Sequence, residues 1–234
     1  MSRSVLPWSA DEHGPLPLLL LVLTFITGLV DALSFLSLGR VFVANMTGNV
    51  VFLGFALAGA PGFSIVTSIV AIGSFMVGAL VGGRLGTSLG AHRGRYVAVV
   101  TYCEIGLIAV ALAVSLATSS DTGVLMLIGV LAIAMGLQNA TARRLGVPDL
   151  TTTVLTLTLT GLAADSKLAG GRNTRPARRW LAAATMLAGA AVGAFVTLYA
   201  GSSALIALVL VLQIVNGAAA YRKASSTEAW TAQR

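Results

Sequence analysis

Charged residues are scarce. Asp, Glu, Lys and Arg make up 10% of the 234 residues, against 56% hydrophobic ones, and the mean hydropathy is +0.90. So little charge cannot solvate the surface of a globule of this length, which excludes an ordinary water-soluble fold. Strand-like alternation of apolar and polar residues is missing too, which leaves helices as the way to satisfy the backbone in lipid. Cysteine is reduced to Cys103, so neither an internal disulfide nor a cysteine metal cluster is expected. The two histidines, His13 and His92, fall in polar segments and read as solvated rather than ligating. No nucleotide-binding P-loop, zinc triad or nucleophile-histidine-acid set is visible, so no enzyme, cofactor or metal is expected.

What the chain has instead is long apolar runs. They lie at about 16 to 38, 41 to 60, 64 to 86, 96 to 118, 123 to 142, 150 to 164, 180 to 200 and 203 to 221, and most approach the roughly 20 residues that cross ~30 Å of hydrocarbon. The lipid bilayer is therefore the first expected partner. Asp11 and Glu12 precede the first run, no clean small-residue cleavage site follows it, and it continues to Leu38, so it reads as a retained helix rather than a signal peptide. A net charge of +7 in a soluble protein would point to nucleic acid. Here the basic residues lie between apolar runs, so topology explains them and no nucleic acid is expected.

The same basic residues decide how many runs cross. If all eight do, Arg40, Arg84, Arg93, Arg95, Arg143 and Arg144 face one side, and Lys167, Arg172, Arg175, Arg178, Arg179, Arg222 and Lys223 face the other. That is nearly no bias. If 41 to 60 and 150 to 164 enter and return on one side, every one of these except Arg40 shares a face with both termini, as the positive-inside rule requires. The expected fold is an all-α polytopic membrane protein with six spanning helices plus two short broken or re-entrant segments. Both termini are expected in the cytoplasm, with tails at 1–15 and 223–234 around a membrane domain at 16–222.

The second half echoes the first at an offset of ~108 residues, far longer than solenoid periods. Gly28-Leu29-Val30-Asp31-Ala32 is matched by Gly136-Leu137-Gln138-Asn139-Ala140, Val77 to Gly82 by Ala188 to Gly193, and Glu104-Ile105 by Gln213-Ile214. Repeat one covers about 16–118 and repeat two about 123–222. Each holds three spans and one short segment, an odd number of crossings, so the second copy is expected to be inverted. Gly78, Gly82 and Gly86, like Gly189 and Gly193, are spaced for close helix packing, and a homodimer through these glycine faces is expected.

Gly28 to Ala32, Leu38-Gly39 and the block Val41-Phe42-Val43-Ala44-Asn45-Met46-Thr47-Gly48-Asn49-Val50 together resemble the YoaK family, also called the DUF1275 family. The region from Leu137 to Thr160 is similar to its second half. The resemblance covers most of the chain and implies a protein of the bacterial inner membrane with about six crossings, without implying a mechanism.

Polar residues inside apolar runs mark the candidate site, because they are costly in lipid. Asp31 is expected to bind solute and to couple to a proton or cation. The bland alternative is a carboxyl bonded to a neighbouring helix. Asn45, Thr47, Gly48 and Asn49 offer amides, a hydroxyl and a bendable backbone as a solute site, or else the cap of a broken helix. Gln138, Asn139, Thr151, Thr152 and Thr153 form the second copy's share of the site. Glu104 is a second coupling candidate; the alternative is a helix-to-helix hydrogen bond, which the replacement of Glu104 by Gln213 in the other copy fits, since an amide keeps hydrogen bonding without charge. The expected function is a secondary transporter, proton- or cation-coupled, for an unidentified small solute. The alternatives are a passive channel and a non-transporting scaffold.

Overall fold

A computed structural model describes residues 13–89, 92–147, 155–171, 176–224 and 229–231. Six long helices carry the fold: α1 (Leu16–Ser37), α3 (Ile65–Leu89), α4 (Arg93–Ala117), α5 (Asp121–Leu145), α7 (Pro176–Ala200) and α8 (Ser202–Ala224). All six are long and apolar enough to cross a membrane. Two short helices complete the set, α2 (Met46–Leu57, 12 residues) and α6 (Leu155–Ala164, 10 residues). At 1.5 Å per residue they reach only about 15–18 Å, too little to cross ~30 Å of hydrocarbon. The six long and two short helices are the set that the charge distribution predicted.

Helix ends follow local chemistry more closely than hydropathy. Pro15 and Pro17 open α1, where a missing N–H costs nothing. Ser120 caps α5 by accepting the Gly123 N–H at 3.2 Å, and Asp121 occupies its first turn. At the other end Arg143 and Arg144 sit in the last turn before a left-handed Gly146 with φ +59°. α4 starts at Arg93, before its apolar run, because His92 Nδ1 accepts the Arg95 N–H at 3.2 Å. His92 is therefore a cap, an assignment that its polar surroundings alone did not suggest.

The helices pack in pairs that correspond between the halves. α1 lies against α7 and α8, α5 against α3 and α4, α2 against α3, and α6 against α7, while α1 meets α5 and α4 meets α8. α1 and α5 are the inner helices: 78% and 56% of their spanning windows are buried, against 22% for α3 and α7. Glycine sets these contacts. A Cβ on Gly28 would lie 2.5 Å from the Met186 carbonyl oxygen of α7, and one on Gly136 would lie 2.1 Å from the Phe75 oxygen of α3. From the other side, Cβ atoms on Gly189 and Gly78 would lie 2.2 Å from Phe25 O and 2.0 Å from Ile133 O. With lipid as solvent, such backbone approach is what holds helices together. The faces expected to make a dimer are thus taken up by α1·α7 and α3·α5 within one chain.

At the end of the bundle expected to be cytoplasmic, Tyr96 donates its hydroxyl to Gly82 O (3.0 Å) and accepts from Thr141 Oγ1 (3.1 Å), tying α3, α4 and α5 together. Arg93 donates to Leu145 O and, at 3.4 Å, to Trp230 O. Trp230, inside what reads from sequence as a plain tail, is buried beneath Gly14 and packs in one cluster with Leu16 and Leu20.

Candidate functional site

A cleft of about 840 Å³ is lined by the N-terminal turns of both short helices, one on each side. α2 contributes Met46, Thr47, Gly48, Val51 and Phe52, and α6 contributes Leu155, Thr156 and Leu159. Asp31 of α1, Phe75 of α3 and Met186 of α7 close the walls. The N-terminal turns of α2 and α6 both face this space, and a helix N-terminus carries partial positive charge. Thr47 and Thr156 add hydroxyls from each half, and Asn45 adds an amide.

Asp31 is 5% exposed. Its Oδ1 accepts the backbone N–H groups of Val43 (3.2 Å) and Ala44 (2.9 Å), and the Asn45 N–H also faces the carboxyl group. These donors belong to the segment that leads into α2. The carboxyl of α1 therefore holds the entry of the short helix and satisfies backbone N–H groups that are buried inside the bundle. Asp31 both lines the cleft and fixes its wall, so the two readings of this residue meet in one geometry.

The remaining predicted residues divide. Asn45, Thr47 and Gly48 line the cleft. Asn49 is fully buried behind it, where Oδ1 accepts the Phe42 N–H (2.8 Å) and Nδ2 donates to Phe42 O (2.6 Å). This clasp folds residue 42 back onto α2. Gly48 lies under the Phe42 ring, where a Cβ would come within 2.7 Å of Cδ2. Gln138 and Asn139 do not line the cleft. Gln138 donates to Thr27 Oγ1 (2.8 Å) and Leu23 O (3.4 Å), joining α5 to α1, and Asn139 donates to Met135 O (2.8 Å) within its own helix. Thr151, Thr152 and Thr153 lie outside the described residues. Glu104 is remote from the cleft, between α4 and α8, where Gln213 Nε2 donates to its Oε2.

One feature of the wall escaped sequence reasoning. Phe35, Phe42, Phe52, Phe55 and Phe63 form a continuous aromatic cluster, with ring centroids 5.2–5.5 Å apart for Phe52–Phe63, Phe35–Phe42, Phe55–Phe63 and Phe42–Phe52. It packs the flanks of α2 against the end of α1 and the start of α3. The available signal was the crowding of five of the chain's eight phenylalanines into residues 35–63.

A family model described as "Protein of unknown function (DUF1275)" matches residues 19–218. The UPF0700 transmembrane protein YoaK of Bacillus subtilis (strain 168) is 35% identical over 150 residues, which are 63% of this chain and 65% of that protein. The match thus spans slightly less than two thirds of the relative's length. No solved structure matches this chain. The family match takes in the α1 carboxyl, the cleft and all but the ends of the six membrane-length helices, and this multi-pass transmembrane protein belongs to the DUF1275 family.

Proposed function

We propose that the chain is a secondary transporter, not an enzyme, that carries a small solute through the cleft between α2 and α6. The observation that carries this reading is one cleft lined by the N-terminal turns of two membrane-short helices and by the buried Asp31. Broken helices of this kind place substrate sites at mid-membrane in transporters built from inverted repeats. A cleft of about 840 Å³ falls within the ~300–1,000 Å³ typical of small-molecule sites. The matched pairing of α1·α7 with α5·α3, of α8·α1 with α4·α5, and of α2·α3 with α6·α7 supports the inverted repeat. Asp31 and Thr47 from one half and Thr156 from the other are the solute-facing groups, and Asp31 links solute to a proton or cation by holding or releasing the entry to α2.

The test is uptake by the purified full chain in proteoliposomes across a panel of small solutes, with and without proton and sodium gradients. Gradient-driven uptake of at least one solute, reduced at least about tenfold in Asp31→Asn with the fold intact, is expected. Uptake that ignores both gradients would identify a passive channel, and no flux for any solute would favour the scaffold.

We further place the chain in a bacterial inner membrane with both termini cytoplasmic, supported by the basic residues that cluster at one end of the six helices. With Cys103 replaced, cysteines at Pro61 and Thr122 should react with an external impermeant reagent, while one at Arg95 stays protected. External labelling at 95 reverses the orientation. A homodimer is part of this proposal only through faces other than the packed glycines.

A further inference from the structure

Glu104, Gln213 and Asn216 are 1%, 0% and 2% exposed; Glu104 and Gln213 meet between α4 and α8, and Asn216 follows Gln213 on α8. The contact of Gln213 Nε2 with Glu104 Oε2 fixes both side chains. Glu104 Oε1, Gln213 Oε1 and both amide atoms of Asn216 have no hydrogen-bond partner among the described residues. Asn216, three residues beyond Gln213, lies about 5–6 Å from it on the same side of α8. The cluster is far from either helix end. Ser115 and Ser203 bond at 2.7 Å on one side of it, and Thr101 packs at Gly217 on the other.

A carboxyl enclosed in this way either keeps its proton or meets a counter-charge. The helices around it do not bring one near. Arg93 and Arg95 stand at the start of α4, Arg143 and Arg144 at the end of α5, and Arg222 near the end of α8. Along the helices, Arg95 is nine residues from Glu104, and Arg222 is nine from Gln213 and six from Asn216, about 13 Å and about 9 Å at 1.5 Å per residue; α7, which also packs on α8, carries Arg178 and Arg179 in its first turn. Arg84 of α3 lies near the level of Gly82, which meets Tyr96 at the same end. α1, which also packs on α8, contains no basic residue.

Carboxylate and amide oxygens are the hard ligands that alkali and alkaline-earth ions take. One negative charge among neutral oxygens balances a monovalent ion, whereas a divalent ion would leave an unmatched charge in apolar surroundings. We propose that Glu104 Oε1, Gln213 Oε1 and Asn216 Oδ1 bind a monovalent metal cation of sodium type between α4 and α8. The site is separate from the solute cleft and does not require the chain to transport.

The experiment uses the purified full chain in detergent at fixed pH and ionic strength, with choline replacing sodium. It measures radioactive sodium binding and the thermal unfolding midpoint. One saturable sodium ion per chain is expected, with a midpoint that climbs with the logarithm of sodium concentration. Glu104→Gln keeps an amide partner for Gln213, and it should lower sodium affinity at least about tenfold and flatten the midpoint response. The proposal is overturned if the wild-type chain binds no sodium, or if Glu104→Gln responds to sodium as the wild type does. A midpoint that follows pH but not sodium also overturns it, and makes a proton the occupant. Should Glu104→Gln not fold, Asn216→Leu carries the test, because it leaves the Glu104–Gln213 contact in place and unchanged sodium affinity there overturns the site. Flux through the cleft is a separate readout, so failure here leaves the transport reading standing.

Discussion

The two short helices reach one cleft with the same end, yet they are fastened differently. α2 is held at its entry by hydrogen bonds from buried groups: Asp31 takes the Val43 and Ala44 N–H groups, and Asn49 clasps Phe42. The aromatic cluster then packs its flanks. Among the described residues, α6 is fastened at its far end, where Asp165 pairs with Arg179 of α7 at 2.7 Å and the guanidinium lies over Gly161. The Asp165 side chain is 48% exposed. Bonds sealed from water are strong because their loss leaves orphans, whereas a wet ion pair is weak and screened by salt. The comparison teaches that, among the described residues, the hold on α2 is enclosed while the ion pair after α6 is partly open to water, although the helix patterns match.

Breaking the enclosed hold on α2 should cost most. Asp31→Leu removes the acceptor for two enclosed N–H groups and should destabilise the chain by about 2–4 kcal/mol, while Asp31→Asn retains an oxygen and should cost about 1 kcal/mol. Thermal unfolding in detergent separates the two, and equal effects would mean that the carboxyl does not hold α2. Next come the glycines. Gly28→Ala and Gly136→Ala each drive a methyl into a facing backbone and should cost about 1–3 kcal/mol by the same assay. A cost confined to one of them would show that the two halves do not share a packing scheme. Asn49→Leu should lose about 1–2 kcal/mol and speed amide exchange in residues 42–49, a change that Asn139→Leu should not produce there. Smallest is Arg179→Gln, worth at most about 1 kcal/mol and vanishing in high salt. A larger, salt-independent loss would make α6 as firmly held as α2.

The six long helices were legible because length and hydropathy are local properties, and the two short ones because moving Arg and Lys across a membrane is costly. Asp31, Asn45, Thr47 and Gly48, which line one cleft, were conspicuous because polar groups stand out in apolar sequence. Their partners were not. Asp31 is satisfied by the backbone N–H groups of Val43 and Ala44, and backbone donors leave no trace in residue identity. Gln138 aligns with Val30 but is used elsewhere, since Thr27 happens to sit opposite it on α1. Trp230 reads as tail because a single aromatic among polar residues has no period to betray its burial.

The contact between Glu104 and Gln213 also bears on ancestry. These positions correspond under the ~108-residue repeat, and they touch each other. Two identical halves would meet here as Glu against Glu or as Gln against Gln. The first sets two carboxyls together in an apolar interior, and the second discards the acid. A single chain holding both halves escapes that restriction, because each copy can change alone. Under the proposed repeat, the Glu–Gln pair is a combination open to one chain that holds both halves and closed to a symmetric assembly of single repeats.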